Sequence, residues 1–136
     1  YLDLDLYHYF LGREDQSVNE QVLMQRIDQQ ILVTKMVSGC ADLKNVQKEH
    51  PKLADYLVRH LSIMLSISSV HLLLIGTEEA MKKRKELWNY MRKRGNGLYR
   101  KLRFGTVSGF TYLPGKAGTA LTLAGYRLAK QFYHFN

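Results

Sequence analysis

A mainly α-helical chain, an antiparallel helical bundle preceded by one short N-terminal β-strand, is the fold class this sequence predicts. Three observations predict it. Apolar residues recur at helical spacing through most of residues 17–136. Capping residues and glycines divide those stretches. Only the first ten residues alternate with period two. With 136 residues, 46% of them apolar, the chain can bury one modest core.

The strand comes first. Leu2, Leu4 and Leu6 fall on one side, and Asp3, Asp5, Tyr7 and Tyr9 on the other. A lone strand needs neighbours, so residues 1–16 are expected to be the terminal strand and turn of an α/β domain lying ahead of Tyr1, with 17–136 a helical domain. Asp3 and Asp5 project from one strand face about 6.6 Å apart, at about 3.3 Å per residue. Two such carboxylates could share a hard divalent cation, but so short a spacing arises readily by chance, and a role at a strand edge is preferred.

A helix is expected from Ser17 to Gly39. "SVNE" is a capping box, Ser17 and Glu20 each bonding the other's backbone amide. Leu23, Met24, Ile27 and Ile31, continued by Val33, Met36 and Val37, form its apolar stripe. A second helix begins near Pro51, which suits a first-turn position, and ends at Gly76. Leu57, Leu61, Met64, Leu65 and Leu72 make one of its stripes, and Ile63, Ile67, Val70 and Leu74 another. Ser62, Ser66 and Ser69 form a third, small-residue face. Apolar on two sides, this helix belongs in the centre of a bundle. Its most apolar run, Leu61 to Ile75, is shorter than the roughly 20 residues of a bilayer span and holds four serines and His71.

Thr77 should cap a third helix, Glu78 to Arg94, with Leu87, Trp88 and Met91 facing inward. Glu78–Lys82 and Glu79–Lys83 are spaced for ion pairs. "GNG" (Gly95 to Gly97) is a break, "LYRKLRF" a short helix and "GTVSGFTYLPG" a loop. The last helix follows Pro114 and is expected to bury Ala117, Leu121, Ala124, Leu128 and Phe132, leaving Lys116, Arg127, Lys130 and His134 outside.

Charge is divided along the chain. Residues 1–80 carry 7 Lys and Arg against 11 Asp and Glu, a net of −4; residues 81–136 carry 13 against 1, a net of +12. Such asymmetry points to an anionic partner; its bland counterpart is a solvated surface that aids solubility. The cations Lys82, Lys83, Arg84, Lys85, Arg92, Lys93, Arg94, Arg100, Lys101 and Arg103 alternate with Trp88, Tyr90, Tyr99 and Phe104. Aromatics among Lys and Arg suit an anionic membrane interface. The same chemistry serves a non-enzymatic basic module that binds nucleic acid or an acidic protein, but no nucleic-acid motif accompanies it.

Catalytic chemistry is not legible in the spacing. "PGKAGT" fails as a phosphate loop, because Phe110 stands where the first glycine belongs and Ala117 where Ser or Thr should follow Lys116. His8, His50, His60, His71 and His134 have no metal-ligand spacing with one another or with Cys40. Cys40 is the single cysteine, which fits a reducing, cytoplasmic setting. Arg13, just ahead of a helix N-terminus, is suited to a phosphate; a cap with a surface ion pair explains it equally well.

"LDLYHYFLGREDQSVNE", followed by "MQRIDQQILVTKMV", resembles the C-terminal region of bacterial family 2 glycosyltransferases that make exopolysaccharide and other cell-surface glycans. Tyr7 and Tyr9 match that family's closing Y-x-Y strand, and Gly12, Arg13, Gln16 and Ser17 its G-R-x-x-Q-S turn. The likeness covers the first forty residues well and the last twenty loosely. It implies a transferase that moves a sugar from a nucleotide-diphosphate donor to a glycan or lipid-linked acceptor at the inner face of the cell membrane. Its donor-binding fold, D-x-D metal motif and catalytic base would lie upstream, so the divalent metal is expected in the full-length enzyme and no cofactor in this stretch. The resemblance places Arg13, Gln16 and Ser17 near the donor diphosphate. The helical domain would then brace the donor site of its own catalytic domain, hold the enzyme peripherally at an anionic membrane, and help form a homo-oligomer.

Overall fold

The computed structural model describes residues 20–133. The expected strand, the Ser17 cap, the 1–16 segment and the Gly12–Ser17 turn with Arg13 and Gln16 lie outside the described residues, as does His134. What is described is a mainly helical bundle: α1 (Glu20–Gln25), α2 (Ile27–Ser38), α3 (Leu43–Glu49), α4 (Pro51–Ile75), α5 (Glu78–Arg94), α6 (Asn96–Phe104), a 3₁₀ turn (Val107–Tyr112) and α7 (Gly115–Tyr133).

Helix α4 is the axis. Each of the other elements packs against it, which is why a 25-residue helix long and apolar enough to cross a membrane, by length and composition, sits instead at the centre of a bundle. Leu61, Leu65 and Leu72 of α4 meet Ile27 and Ile31 of α2, Leu87, Trp88 and Met91 of α5, and Leu102 of α6. Each fully buried side chain of this kind contributes about 1.5–3 kcal/mol. The inward triad of α5 is as expected.

Three of the expected faces need correction. On α2 the buried side is Ile27, Ile31, Thr34 and Ser38, while Val33 and Met36 are exposed. On α4, Ile63 and Ile67 are exposed, and Ser62, Ser68 and Ser69 are buried in their place. Each of these serines meets a polar partner from another element. Ser68 Oγ lies 3.1 Å from Thr34 Oγ1, Ser69 Oγ accepts from Trp88 Nε1 at 3.1 Å, and Ser62 Oγ accepts from the Ser108 amide at 3.2 Å. Small hydroxyl residues let helices approach closely and satisfy one another, so branched side chains are turned outward. On α7 the expected face is inverted. Leu121, Leu128 and Phe132 are exposed, as are Ala117 and Ala124, and the seam is made by Gly118, Thr122 and Tyr126. Thr122 Oγ1 donates to the Phe110 carbonyl at 2.8 Å, and a Cβ on Gly118 would stand 2.6 Å from Leu113 Cβ, so nothing larger fits.

The segmentation also differs in detail. The helix expected from Ser17 to Gly39 bends at Arg26 (φ −100°, ψ 22°), dividing α1 from α2. The i→i−4 bonds continue across the bend, from the Arg26 amide to Val22 and from the Gln30 amide to Arg26. Helix α3 was not anticipated. Asp42 caps it, its Oδ1 accepting from the Lys44 and Asn45 amides at 3.0 and 3.4 Å. Thr77 caps α5 as expected, accepting from the Ala80 amide at 3.2 Å. Of "GNG", only Gly95 breaks the chain, at φ 151°, a conformation open to glycine alone; α6 starts at the next residue. The presumed loop 105–115 contains the 3₁₀ turn, held by hydroxyls. Thr106 Oγ1 and Ser108 Oγ both donate to the Leu102 carbonyl, at 3.0 and 2.8 Å.

Candidate anion-binding and membrane-facing surface

The ten cations singled out from the sequence separate into three groups. Lys82, Lys85, Lys93 and Arg100 are exposed on the outer faces of α5 and α6, with no ion pair or hydrogen bond among the described residues. A second group is exposed but engaged. Arg92 lies over the Tyr99 ring, 5.1 Å from its centroid, and the Tyr99 hydroxyl holds its guanidinium more firmly protonated. Arg94 Nη2 donates to the Ser38 carbonyl at 3.3 Å, and Lys101 Nζ to Gln47 Oε1 at 3.0 Å. Arg103, half-buried, donates to the Gly109 carbonyl at 2.9 Å and covers the Phe104 ring at 5.3 Å.

Lys83 and Arg84 leave the surface set. Lys83 is neutralised by Asp28 at 2.8 Å and Glu79 at 3.0 Å, and the Asp28 bond, with that to Glu79, raises its pKa. The expected Glu79–Lys83 pair forms, whereas no pair joins Glu78 to Lys82; Lys82 stays free. Arg84 is only 8% exposed and is a correction to the predicted anion-binding set. Its Nη2 donates to the Thr111 carbonyl, its guanidinium stacks 4.9 Å from the Tyr112 centroid, and its Nε has no partner among the described residues. Burial holds it below the ordinary arginine pKa, with Arg103 adding repulsion. Tyr112 in turn stacks on Trp88 at 4.6 Å, and Trp88 meets Tyr99 edge-on at 6.2 Å. Two arginines thus bracket three rings, from Arg103 through Tyr112, Trp88 and Tyr99 to Arg92, a pile that stiffens the basic corner.

Beyond Glu86 the chain at that corner is one-signed. From Leu87 to Asn136 the chain has nine Lys and Arg and no Asp or Glu. Around Phe104, which is 77% exposed, stand Arg100, Lys101 and Arg103 at helical spacing. An exposed ring within a collar of cations is chemistry that suits an anionic, partly apolar interface.

Sequence reasoning missed a polar cluster between α1 and α7. Glu20 Oε2 accepts from the Tyr126 hydroxyl at 2.6 Å and from Lys130 Nζ at 3.2 Å, tying α1 to α7. The Tyr126 bond, and then Lys130, hold the Glu20 carboxyl below its ordinary range. Burial, then the Glu20 bond, push the Tyr126 hydroxyl well above its own. His71, 5% exposed, faces the Tyr126 ring edge-on, and burial lowers its pKa. Its Nδ1 lies 2.8 Å from the Ile67 carbonyl, which assigns the proton to that nitrogen. The carboxylate and the phenol are engaged with each other, which makes this a fastening between helices. The spacing of Tyr126 and Lys130, one turn apart, was its only trace in the sequence.

A shallow groove of about 630 Å³ lies between α1, the end of α4 and the start of α5, floored by Met24, Ile27, Leu72 and Ala80. Among the described residues no three His, Cys, Asp or Glu side chains gather as metal ligands. Cys40 is exposed and free.

No protein-family model matches the sequence, and comparison with curated proteins and with solved structures finds no match.

Proposed function

We propose that this chain is the helical domain of a family 2 glycosyltransferase and that its own task is to seat the enzyme on an anionic membrane surface. The observation that carries the seating role is the basic corner of α5 and α6, where free Lys82, Lys85, Lys93 and Arg100 outnumber the one exposed acid among them, Glu86, and Phe104 is exposed. The glycosyltransferase half of the proposal is supported by the Gly12, Arg13, Gln16 and Ser17 match directly ahead of α1. In that setting Arg13, Gln16 and Ser17 border the donor diphosphate. A metal and a catalytic base would be supplied by other parts of such an enzyme.

Vesicle flotation tests the seating role. The chain should float with vesicles containing phosphatidylglycerol and stay down with phosphatidylcholine alone. Near an anionic surface each cation contributes about 1 kcal/mol. Changing Lys82, Lys85, Lys93 and Arg100 together to Gln should therefore lower partitioning by about a thousandfold at low salt. Equal flotation of the quadruple variant, or tight binding to duplex or single-stranded nucleic acid with no flotation, would replace this role with the basic-module alternative. The coding sequence ahead of Tyr1 tests the remainder: a nucleotide-sugar domain with its D-x-D supports it, and an unrelated domain removes it.

A further inference from the structure

Helix α7 is turned inside out relative to its pattern, and this has a chemical meaning. Its seam against α4 and the 3₁₀ turn is made of Gly118, Thr122 and Tyr126, while Leu121, Leu128 and Phe132 are 64, 56 and 79% exposed. Those three recur at i, i+7 and i+11, so they fall within a narrow arc of one helix face. Among the described residues no ring or aliphatic side chain buries them. At 3.6 residues per turn, Lys116 and Arg127 lie about 120–140° round the helix from the stripe, beyond exposed Ala117 and Ala124. On the other flank is the 3₁₀ turn, bonded to Thr122 through the Phe110 carbonyl and presenting Phe110 at 70% exposure. Arg103 bonds the same turn at Gly109, so the 3₁₀ turn packs against both α6 and α7, which do not touch each other among the described residues.

We infer that the outer face of α7, with Phe110 beside it, is the part of this domain that inserts into the lipid interface, α7 lying in the membrane plane. The inference rests on the seating role and names the surface that goes into the bilayer. Charge selects lipid over a protein partner. An apolar stripe with exposed cations round one side of the helix, in a 50-residue stretch without one Asp or Glu, matches a surface that is anionic above and apolar beneath. A protein partner would have to offer an acidic collar matched in shape, and a second copy could offer one only from its residues 1–86, whereas an anionic lipid surface needs no such match.

The test uses the whole chain with Cys40→Ser and one new cysteine, Leu121→Cys or Leu128→Cys, carrying an environment-sensitive fluorophore; Asp55→Cys, exposed on α4, is the control. With phosphatidylglycerol vesicles the α7 probes should shift to the blue and be quenched by lipids spin-labelled high on the acyl chain, and the Asp55 probe should not respond. Leu128→Ser with Phe132→Ser should lower vesicle partitioning about tenfold or more, with the thermal unfolding midpoint unchanged because both positions are exposed. Vesicle binding with α7 probes still in water overturns the inference and leaves the seating role standing. A probe already shielded in buffer, with the chain sedimenting as a dimer, overturns it in favour of a self-interface. Absence of any vesicle binding removes both proposals.

Discussion

Glu20→Gln, Tyr126→Phe and the two together should expose the strength of the fastening between the first and last described helices. One carboxylate oxygen receives the Tyr126 hydroxyl at 2.6 Å and Lys130 Nζ at 3.2 Å. A hydrogen bond to a charged group contributes about 1.5–3 kcal/mol, against about 0.5–1.5 for a neutral one. Glu20 and Lys130 are 30 and 43% exposed, so their ion pair adds only about 0.2–1 kcal/mol. Gln keeps a neutral bond to Tyr126 and loses the charge, which predicts a loss of about 1–2 kcal/mol; Tyr126→Phe should cost about 1.5–2 kcal/mol. Because both changes remove the same interaction, the double variant should fall short of their sum by about 1 kcal/mol. Urea unfolding followed by far-ultraviolet circular dichroism measures all three. Strict additivity, within about 0.3 kcal/mol, would show that the two groups do not act on each other.

The same bond sets a pH dependence whose sign follows from the two shifts. Glu20 is held below its ordinary 4.5, chiefly by the Tyr126 bond. Its contribution is therefore complete above about pH 4.5 and is lost as pH falls through the lowered folded value. Tyr126 is raised above its ordinary 10.0, chiefly by burial, so its contribution is complete below about pH 10 and fades as pH climbs through the raised value. Glu20→Gln should flatten the acid limb of the stability profile.

Gly118→Ala should cost about 1–3 kcal/mol in the same unfolding assay, since the new methyl would lie 2.6 Å from Leu113 Cβ and 2.7 Å from the Leu113 carbonyl carbon. Arg84→Met should change stability by less than about 1 kcal/mol, because the bond to the Thr111 carbonyl is offset by relief of an unpaired buried Nε. Arg84→Ala adds a cavity and should lose about 2–3 kcal/mol. Trp88→Phe removes the donor to Ser69 and part of the stack on Tyr112. It should cost about 2–3 kcal/mol and lower the calorimetric midpoint by roughly 6–12 °C.

Helix α5 was legible because its faces differ in kind: Leu87, Trp88 and Met91 stand against a run of cations, and only one burial satisfies both. Arg84 was misassigned although spacing places it on the arc of Ala80, Leu87, Trp88 and Met91. A charge count gathers "KKRK" as one patch and ignores the 3.6-residue period. Helices α2, α4 and α7 failed for another reason. Spacing identifies a stripe but not which stripe faces in, and here closeness of backbones decides. Ser62, Ser68, Ser69, Thr34, Gly118 and Thr122 make the seams, and larger apolar residues are displaced outward. Gly118 and Thr122, four apart and small, were the readable sign on α7. The Asp42 cap of α3 was equally visible and overlooked, because a seven-residue helix leaves little periodicity. The Arg13, Gln16 and Ser17 site falls outside the described residues.

Glu20→Gln also bears on how α7 would meet a membrane. Two routes are open to an amphipathic helix at a bundle's edge: it can bind lipid as it stands, or first detach and turn its apolar face toward the bilayer. Detachment here would expose Thr122, Tyr126 and the Glu20–Tyr126–Lys130 bonds to lipid and gain little, since Leu121, Leu128 and Phe132 already point away from the bundle. A ligand shifts an equilibrium only by its differential affinity for the two states, and the apolar area that detachment adds, from half-buried Leu123, Ala129 and the Tyr126 ring, comes together with the polar groups of Thr122 and Glu20. Weakening the fastening should therefore leave affinity for phosphatidylglycerol vesicles within about twofold, although it lowers stability by about 1–2 kcal/mol. If binding required release, the variant would instead bind about five- to thirtyfold more tightly, since 1.4 kcal/mol is a factor of ten. That gain, measured by vesicle titration, would refute the docked orientation of α7.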